Sequence, residues 1–146
     1  GGRVPEIDTT RNLAMYRALT GAMQNELVAS AHDCSDGGLA VAISECCFGS
    51  DSGARVDVSP IMYDCDQIEP WGAMFGESLG RILVSVKPEN SQKFEDSMTG
   101  HACYFLGFVE EGDIISVENG DTTLISTSMC SLRKAWKETL DGGGPQ

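Results

Sequence analysis

The stretch AHDCSDGGLAVAIS, residues 31–44, sets polar and glycine positions between two apolar runs. His32, Asp33, Ser35 and Asp36 stand just before Gly37 and Gly38, and Leu39 and Val41 follow at once. This pattern predicts a strand that ends in His-Asp, a tight turn, and a helix over about 37–47. Leu39, Ala42, Ile43, Cys46 and Cys47 would share the buried face of that helix. Ser35 or Asp36 would be its N-cap. Free N–H groups and the positive end of the helix dipole favour an anion at such a turn. Glycines let a ligand approach the backbone closely. Ser35 can donate a hydroxyl to a phosphate oxygen, and Asp33 can offer a hard oxygen to Mg²⁺. By residue types alone, a plain capped turn outweighs this ligand reading. If the ligand reading holds, the N–H groups of Gly37 and Gly38 stay open, and Asp33 and Asp36 point into one concavity.

Working outward, α and β signals alternate. Asp8 or Thr9 caps a helix over 10–26, with Met15, Leu19, Ala22 and Met23 at helical spacing. LVASAHD, residues 27–33, is the strand before the turn. FGSDSG is a turn cluster and ARVDVS alternates as a strand. A short helix is expected near Trp71–Phe75, and GRILVSV is the clearest strand. Pro88 and Asn90 open a helix to about Thr99. CYFLGFVE and DIISVEN are strands, and ENGDTT signals a hairpin. A last helix follows Ser128 with Met129, Leu132, Trp136 and Leu140 on its apolar face, and Trp136 is read as core. The fold class expected is α/β (α+β), a layered sandwich of helices on a mixed sheet. Residues 1–8 are read as a lead-in, 9–140 as one domain and 141–146 as a flexible tail.

The 146 residues suit a single domain, which at about this length buries roughly 70% of its unfolded surface. Acidic residues outnumber basic ones 22 to 10, for a net charge of −12. Nucleic acid and anionic membranes need positive potential, so neither is expected as a partner. No apolar run is long enough to span a bilayer. No basic segment precedes an apolar run at the start, so no signal peptide is expected. The six cysteines form no C-x-x-C pair, which argues against zinc and for small core thiols in a reduced, cytoplasmic protein. A secreted disulfide protein is the minor alternative.

A second charged glycine cluster, WGAMFGESLGRILVSV, occupies residues 71–86. Glu77, Ser78 and Arg81 lie between and beside Gly76 and Gly80, before the strong strand. Such a loop often lies at a site, though a surface Arg81–Glu77 pair would explain the charges equally. With His32, these three are candidate cleft residues. His101 is read as a surface residue at a helix end. No Walker loop, dinucleotide fingerprint or nucleophile elbow is present.

The two clusters together, HDCSDGGLAVAISE and FGESLGRILVSV, resemble the paired motifs of the phosphoribosylformylglycinamidine synthase family, and specifically the last domain of its synthetase subunit. VPEID and LRKAWKETL resemble that domain's edges, so the likeness covers nearly the whole chain. FGESLGR looks like the short, separate-subunit form. The resemblance implies an α/β domain that closes a cleft, within an ATP- and glutamine-dependent carbon–nitrogen ligase of purine biosynthesis. It implies ATP and Mg²⁺ as cofactors of the intact enzyme. The implied partners are an N-terminal ATP-binding half, a glutaminase subunit or domain, and a small-molecule substrate. Asp33 would be a metal contact, and Ser35, Asp36, Gly37 and Gly38 nucleotide contacts; no catalytic acid or base is implied. The chain alone would be inactive and would expose an apolar patch, for which Met74, Phe75 and the outer side of the first helix are candidates. Alternatives are a C-terminal domain of thiamine-phosphate kinase, aminoimidazole ribonucleotide synthetase or selenophosphate synthetase, or a non-catalytic interaction domain.

Overall fold

A computed structural model describes residues 7–50, 52–64 and 68–140. The lead-in before Ile7 and the tail from residue 141 therefore lie outside the described residues, as does Cys65. Helix α1 (Thr9–Gln24) is capped by Asp8, whose carboxylate accepts from the Arg11 N–H at 2.9 Å. Strand β1 (Ser30–Asp33) leads through the turn to α2 (Gly38–Phe48). Next come β2 (Ser52–Asp57), α3 (Ser59–Asp64), α4 (Pro70–Phe75) and β3 (Ile82–Ser85). A 3₁₀ turn (Pro88–Asn90) leads into α5 (Ser91–Ser97). Strands β4 (Gly107–Glu111), β5 (Ile114–Asn119) and β6 (Thr122–Ser128) precede α6 (Met129–Leu140).

The expected sandwich of helices on a mixed sheet is present, with the strands divided between two sheets. Strands β4-β2-β5-β6 form one sheet, in which β2 runs parallel to β5 and antiparallel to β4. The Asn-Gly hairpin joins β5 to β6, pairing Asn119 with Thr122. Strands β1 and β3 form a separate antiparallel ribbon. Alternation along β3 places that ribbon between two cores. Leu83 packs into the larger one, built from α2, α4, β2, β5 and Met129. Ile82, Val84 and Val86 pack into the smaller one, around Leu19 and Ala22 of α1 and Phe94 and Met98. Period-two side chains on one short strand thus hold both cores together.

Some local expectations are corrected. Trp136 is half exposed (50%) rather than core, and meets Phe48 with ring centroids 5.7 Å apart. Among the described cysteines all five are free, and only Cys34 and Cys47 are buried, while Cys46, Cys103 and Cys130 are exposed. The strand before the turn starts at Ser30, three residues later than read. Helix α3 was not expected. Asp57 sets its start, accepting from the Ser59 N–H and hydroxyl at 2.9 Å each and from the Gly120 N–H at 3.1 Å.

That carboxylate gives a pH prediction. Desolvation pushes its pKa up, but the Ser59 and Gly120 N–H groups and the Ser59 hydroxyl outweigh it and hold the pKa below its ordinary value. A depressed folded pKa contributes stability above the unfolded value of about 3.9, and that stability is lost as pH falls through the lower folded value. Asp57→Asn should therefore flatten the acid limb of a melting-temperature–pH curve below about pH 4. An acid limb identical to that of the parent chain would show that Asp57 contributes no such linkage.

Candidate functional site

The β1–β3 ribbon brings the two glycine clusters together. Asp33 pairs with Ile82, and the Cys34 N–H donates to the Arg81 carbonyl at 3.0 Å. The turn after β1 therefore lies against the loop before β3. Gly37 and Gly38 both have positive φ, at +77° and +64°, a conformation that side-chain-bearing residues rarely adopt. Gly37, not Ser35 or Asp36, occupies the N-cap position of α2, and no side chain caps there.

The N–H groups that the sequence reading left open are engaged. Gly37 donates to Glu77 Oε1 at 2.9 Å, and Gly38 donates to the Ser35 carbonyl at 2.9 Å. Gly38 is buried, and a Cβ there would lie 2.7 Å from the Gly76 carbonyl oxygen and 2.8 Å from that of Met74. The second glycine thus serves close packing of backbone on backbone. Glu77 satisfies the donor at the N-terminus of α2, with its charge favourably placed in the helix dipole. Arg81 does the matching work at the other helix end. Its Nη1 donates to the Gly76 carbonyl at 2.7 Å and its Nη2 to that of Ala73, satisfying carbonyls at the C-terminus of α4. Arg81 and Glu77 thus bind backbone on either side of one contact, and the expected pair between them does not form.

Of the other candidates, His32 is held at both nitrogens. Nδ1 is 2.7 Å from the Asp33 carbonyl, and Nε2 is 3.4 Å from the Glu45 carboxylate on α2. Asp33, Ser35, Asp36 and Ser78 have exposed side chains. Cys34 is buried, and burial pushes its thiol pKa up more than nearby Arg81 pulls it down, which favours the protonated thiol.

Among the described residues, no group of three or more His, Cys, Asp or Glu could hold a metal ion. Two open hollows of about 280 Å³ each contain no residue of the turn. Among the described residues, the turn presents the exposed oxygen donors of Asp33, Ser35 and Asp36 without a complete ligand set for Mg²⁺. Large apolar side chains are exposed on the neighbouring elements: Leu13 and Tyr16 of α1, Trp71 and Phe75 of α4, and Leu79 in the loop before β3. Gly80 rests within contact of Asn12 and so joins the loop to α1. Phe75 is thus exposed as expected, while Met74 is buried at 1%. The clasp by Glu77 and Arg81 was not foreseen, because single-residue patterns say nothing of which loop will lie opposite a turn.

Residues 2–119 match the family described as AIR synthase related protein, C-terminal domain. The phosphoribosylformylglycinamidine synthase subunit PurL of Thermobifida fusca is 37% identical over 142 residues, covering 96% of this chain and 17% of its own length. The corresponding subunit of Lactobacillus helveticus is 35% identical over 143 residues, covering 95% and 18%. The chain thus spans less than a fifth of the length of these curated relatives. Among solved structures, phosphoribosylformylglycinamidine synthase II of Thermotoga maritima superposes with a TM-score of 0.79 at 21% identity, covering 88% of this chain and 22% of that one. The Thermotoga maritima PurL complexed with ATP gives a TM-score of 0.71 at 21% identity, covering 81% and 21%. The fold is shared with both.

Proposed function

The chain belongs to the AIR synthase related protein, C-terminal domain family, and from that premise we propose that it is the C-terminal domain of a phosphoribosylformylglycinamidine synthase. In this reading the whole enzyme is an ATP- and glutamine-dependent ligase. It converts formylglycinamide ribonucleotide to formylglycinamidine ribonucleotide, in the cytoplasm, with a glutaminase partner. The observation that carries the reading is that the likeness to PurL subunits runs along nearly the whole chain, and the two motifs it spans meet in space.

The domain's own contribution is a preformed edge. Glu77 holds the turn's backbone at Gly37 and the Arg81 carbonyl holds it at Cys34, so Asp33, Ser35 and Asp36 stand on a backbone already positioned for a ligand carried by the ATP-binding half. Preorganised groups of this kind are worth more than mobile ones. Asp33 would contribute one oxygen toward a metal ion, and Ser35 and Asp36 would contact the nucleotide beside the Gly37–Gly38 backbone. The rest of any such site would come from other domains, and no step of the chemistry is assigned to these residues as acid or base. The exposed apolar side chains of Leu13, Tyr16, Trp71, Phe75 and Leu79 are where that half would close.

The test uses the intact synthetase with ATP, ammonia and formylglycinamide ribonucleotide. Asp33→Ala should lower kcat/KM at least about tenfold, the loss expected from one charge-assisted contact of about 1.5–3 kcal/mol. The 146-residue chain alone should give no turnover. Full activity in the Asp33→Ala enzyme would make the turn purely structural, and turnover by the isolated chain would overturn the whole assignment.

A further inference from the structure

An exposed apolar surface lies on β4, at the edge of the four-stranded sheet and sharing no residue with the turn. Strand β2 covers one side of β4, and among the described strands none pairs with the other. Four of its five residues are exposed. Phe108 is 66% exposed and Val109 65%, and Phe105 packs edge-on against Phe108 with centroids 5.2 Å apart. An edge with large apolar side chains and unpaired backbone groups is a template for a further strand.

Charge narrows the occupant. The apolar half of β4 runs directly into Glu110 and Glu111, and neither carboxylate forms an ion pair with a described residue. Register places Phe108 beside Arg55 and Val109 beside Ala54, on opposite faces of the sheet. Each face of the edge therefore carries one apolar and one acidic position. A second copy fits poorly. Pairing Phe108 with Val109 of an antiparallel copy would set Glu110 opposite Gly107 and leave the carboxylates unmatched, between two chains of net charge −12 each. The matching strand has two basic residues followed by two apolar ones, running antiparallel to β4, because cross-strand neighbours interact directly.

We propose that the free edge of β4 accepts an extended segment of another polypeptide, basic in its first half and apolar in its second, by strand addition. This does not depend on the proposed enzymatic role.

The probe is the capped peptide Thr-Lys-Arg-Val-Tyr-Thr, titrated into the ¹⁵N-labelled chain. Slowed amide exchange and shift changes should centre on residues 107–111. The peptide Thr-Glu-Asp-Val-Tyr-Thr should bind at least tenfold more weakly. So should a version of the first peptide N-methylated at alternate residues, which cannot complete the ladder. Glu110→Lys with Glu111→Lys, both on exposed positions, should invert the preference between the two charged peptides; Glu110→Gln alone should weaken the basic peptide a few-fold. Equal binding of all peptides, protection centred elsewhere, or a β4-dependent dimer in sedimentation would each overturn the proposal.

Discussion

Replacing Gly38 with alanine is expected to lower the melting temperature of the chain by on the order of 10 °C. Two costs combine. Holding an alanine at φ +64° costs roughly 1–2 kcal/mol. Its Cβ would also lie 2.7 Å from the Gly76 oxygen, 2.8 Å from the Met74 oxygen and 2.9 Å from the Phe75 carbonyl carbon. These are backbone atoms and cannot turn aside, so α2 and α4 must separate, at about 1–3 kcal/mol for overpacking. The sum is about 2–5 kcal/mol, and each kcal/mol shifts Tm by roughly 2–4 °C near this size. Gly100 is the control. Its φ is +85°, but an added Cβ meets nothing within 4 Å. Gly100→Ala should carry only the conformational cost, roughly 1–2 kcal/mol, and lower Tm by about half as much or less. Equal effects at both positions, read by calorimetry, would show that the contact with Met74–Gly76 contributes nothing.

The comparison explains what was legible in the sequence. Local signals reported themselves: Asp8 as a cap, Asn119-Gly120 as a tight hairpin, and the spacing of Leu39, Ala42, Ile43 and Cys47 as a buried face. Each depends on interactions within a few residues. What failed depends on distant partners. Trp136 follows the apolar stripe of α6, but Met129 and Leu132 reach the core while Trp136 stays half exposed beside Phe48. Helix α3 needs the Asp57 carboxylate, which is itself fixed by Gly120 of a hairpin 63 residues away. The division into two sheets depends on β1 pairing with β3, and short strands of four residues carry no register information beyond their own alternation.

The candidate site was half legible for the same reason. Two adjacent glycines signal an unusual backbone, and both φ values are positive. The signal does not say what the conformation serves. Here it serves two ends, a donor aimed at Glu77 and a surface bare enough for the backbone of Met74–Gly76 to rest on. Glu77, Ser78 and Arg81 were legible only as polar and charged positions in a glycine-rich loop. The partners of Glu77 and Arg81 are backbone groups, which leave no mark in side-chain patterns.

Arg81→Met should destabilise the chain by about 3 kcal/mol and, unlike a surface charge deletion, should weaken the effect of changing Glu77. Methionine keeps much of the apolar stem and removes the guanidinium. Both lost hydrogen bonds have a charged donor and part-buried carbonyl acceptors on Ala73 and Gly76, each worth about 1.5–3 kcal/mol. The two share one side chain, so the total is smaller than their sum. With those carbonyls released, the end of α4 frays, and Gly76 no longer fixes the residue after it. Glu77 then loses its aim at the Gly37 N–H, a bond worth about 1–3 kcal/mol when intact. Glu77→Ala alone should therefore cost about 1 kcal/mol or more in the parent chain and much less in the Arg81→Met background. A double-mutant cycle by urea denaturation measures this directly, and the expected coupling is about 1 kcal/mol. Additivity within about 0.3 kcal/mol would mean that Arg81 and Glu77 act separately. The turn would then be held by the Gly38 contact alone, and the two glycine clusters would be neighbours rather than one clasp.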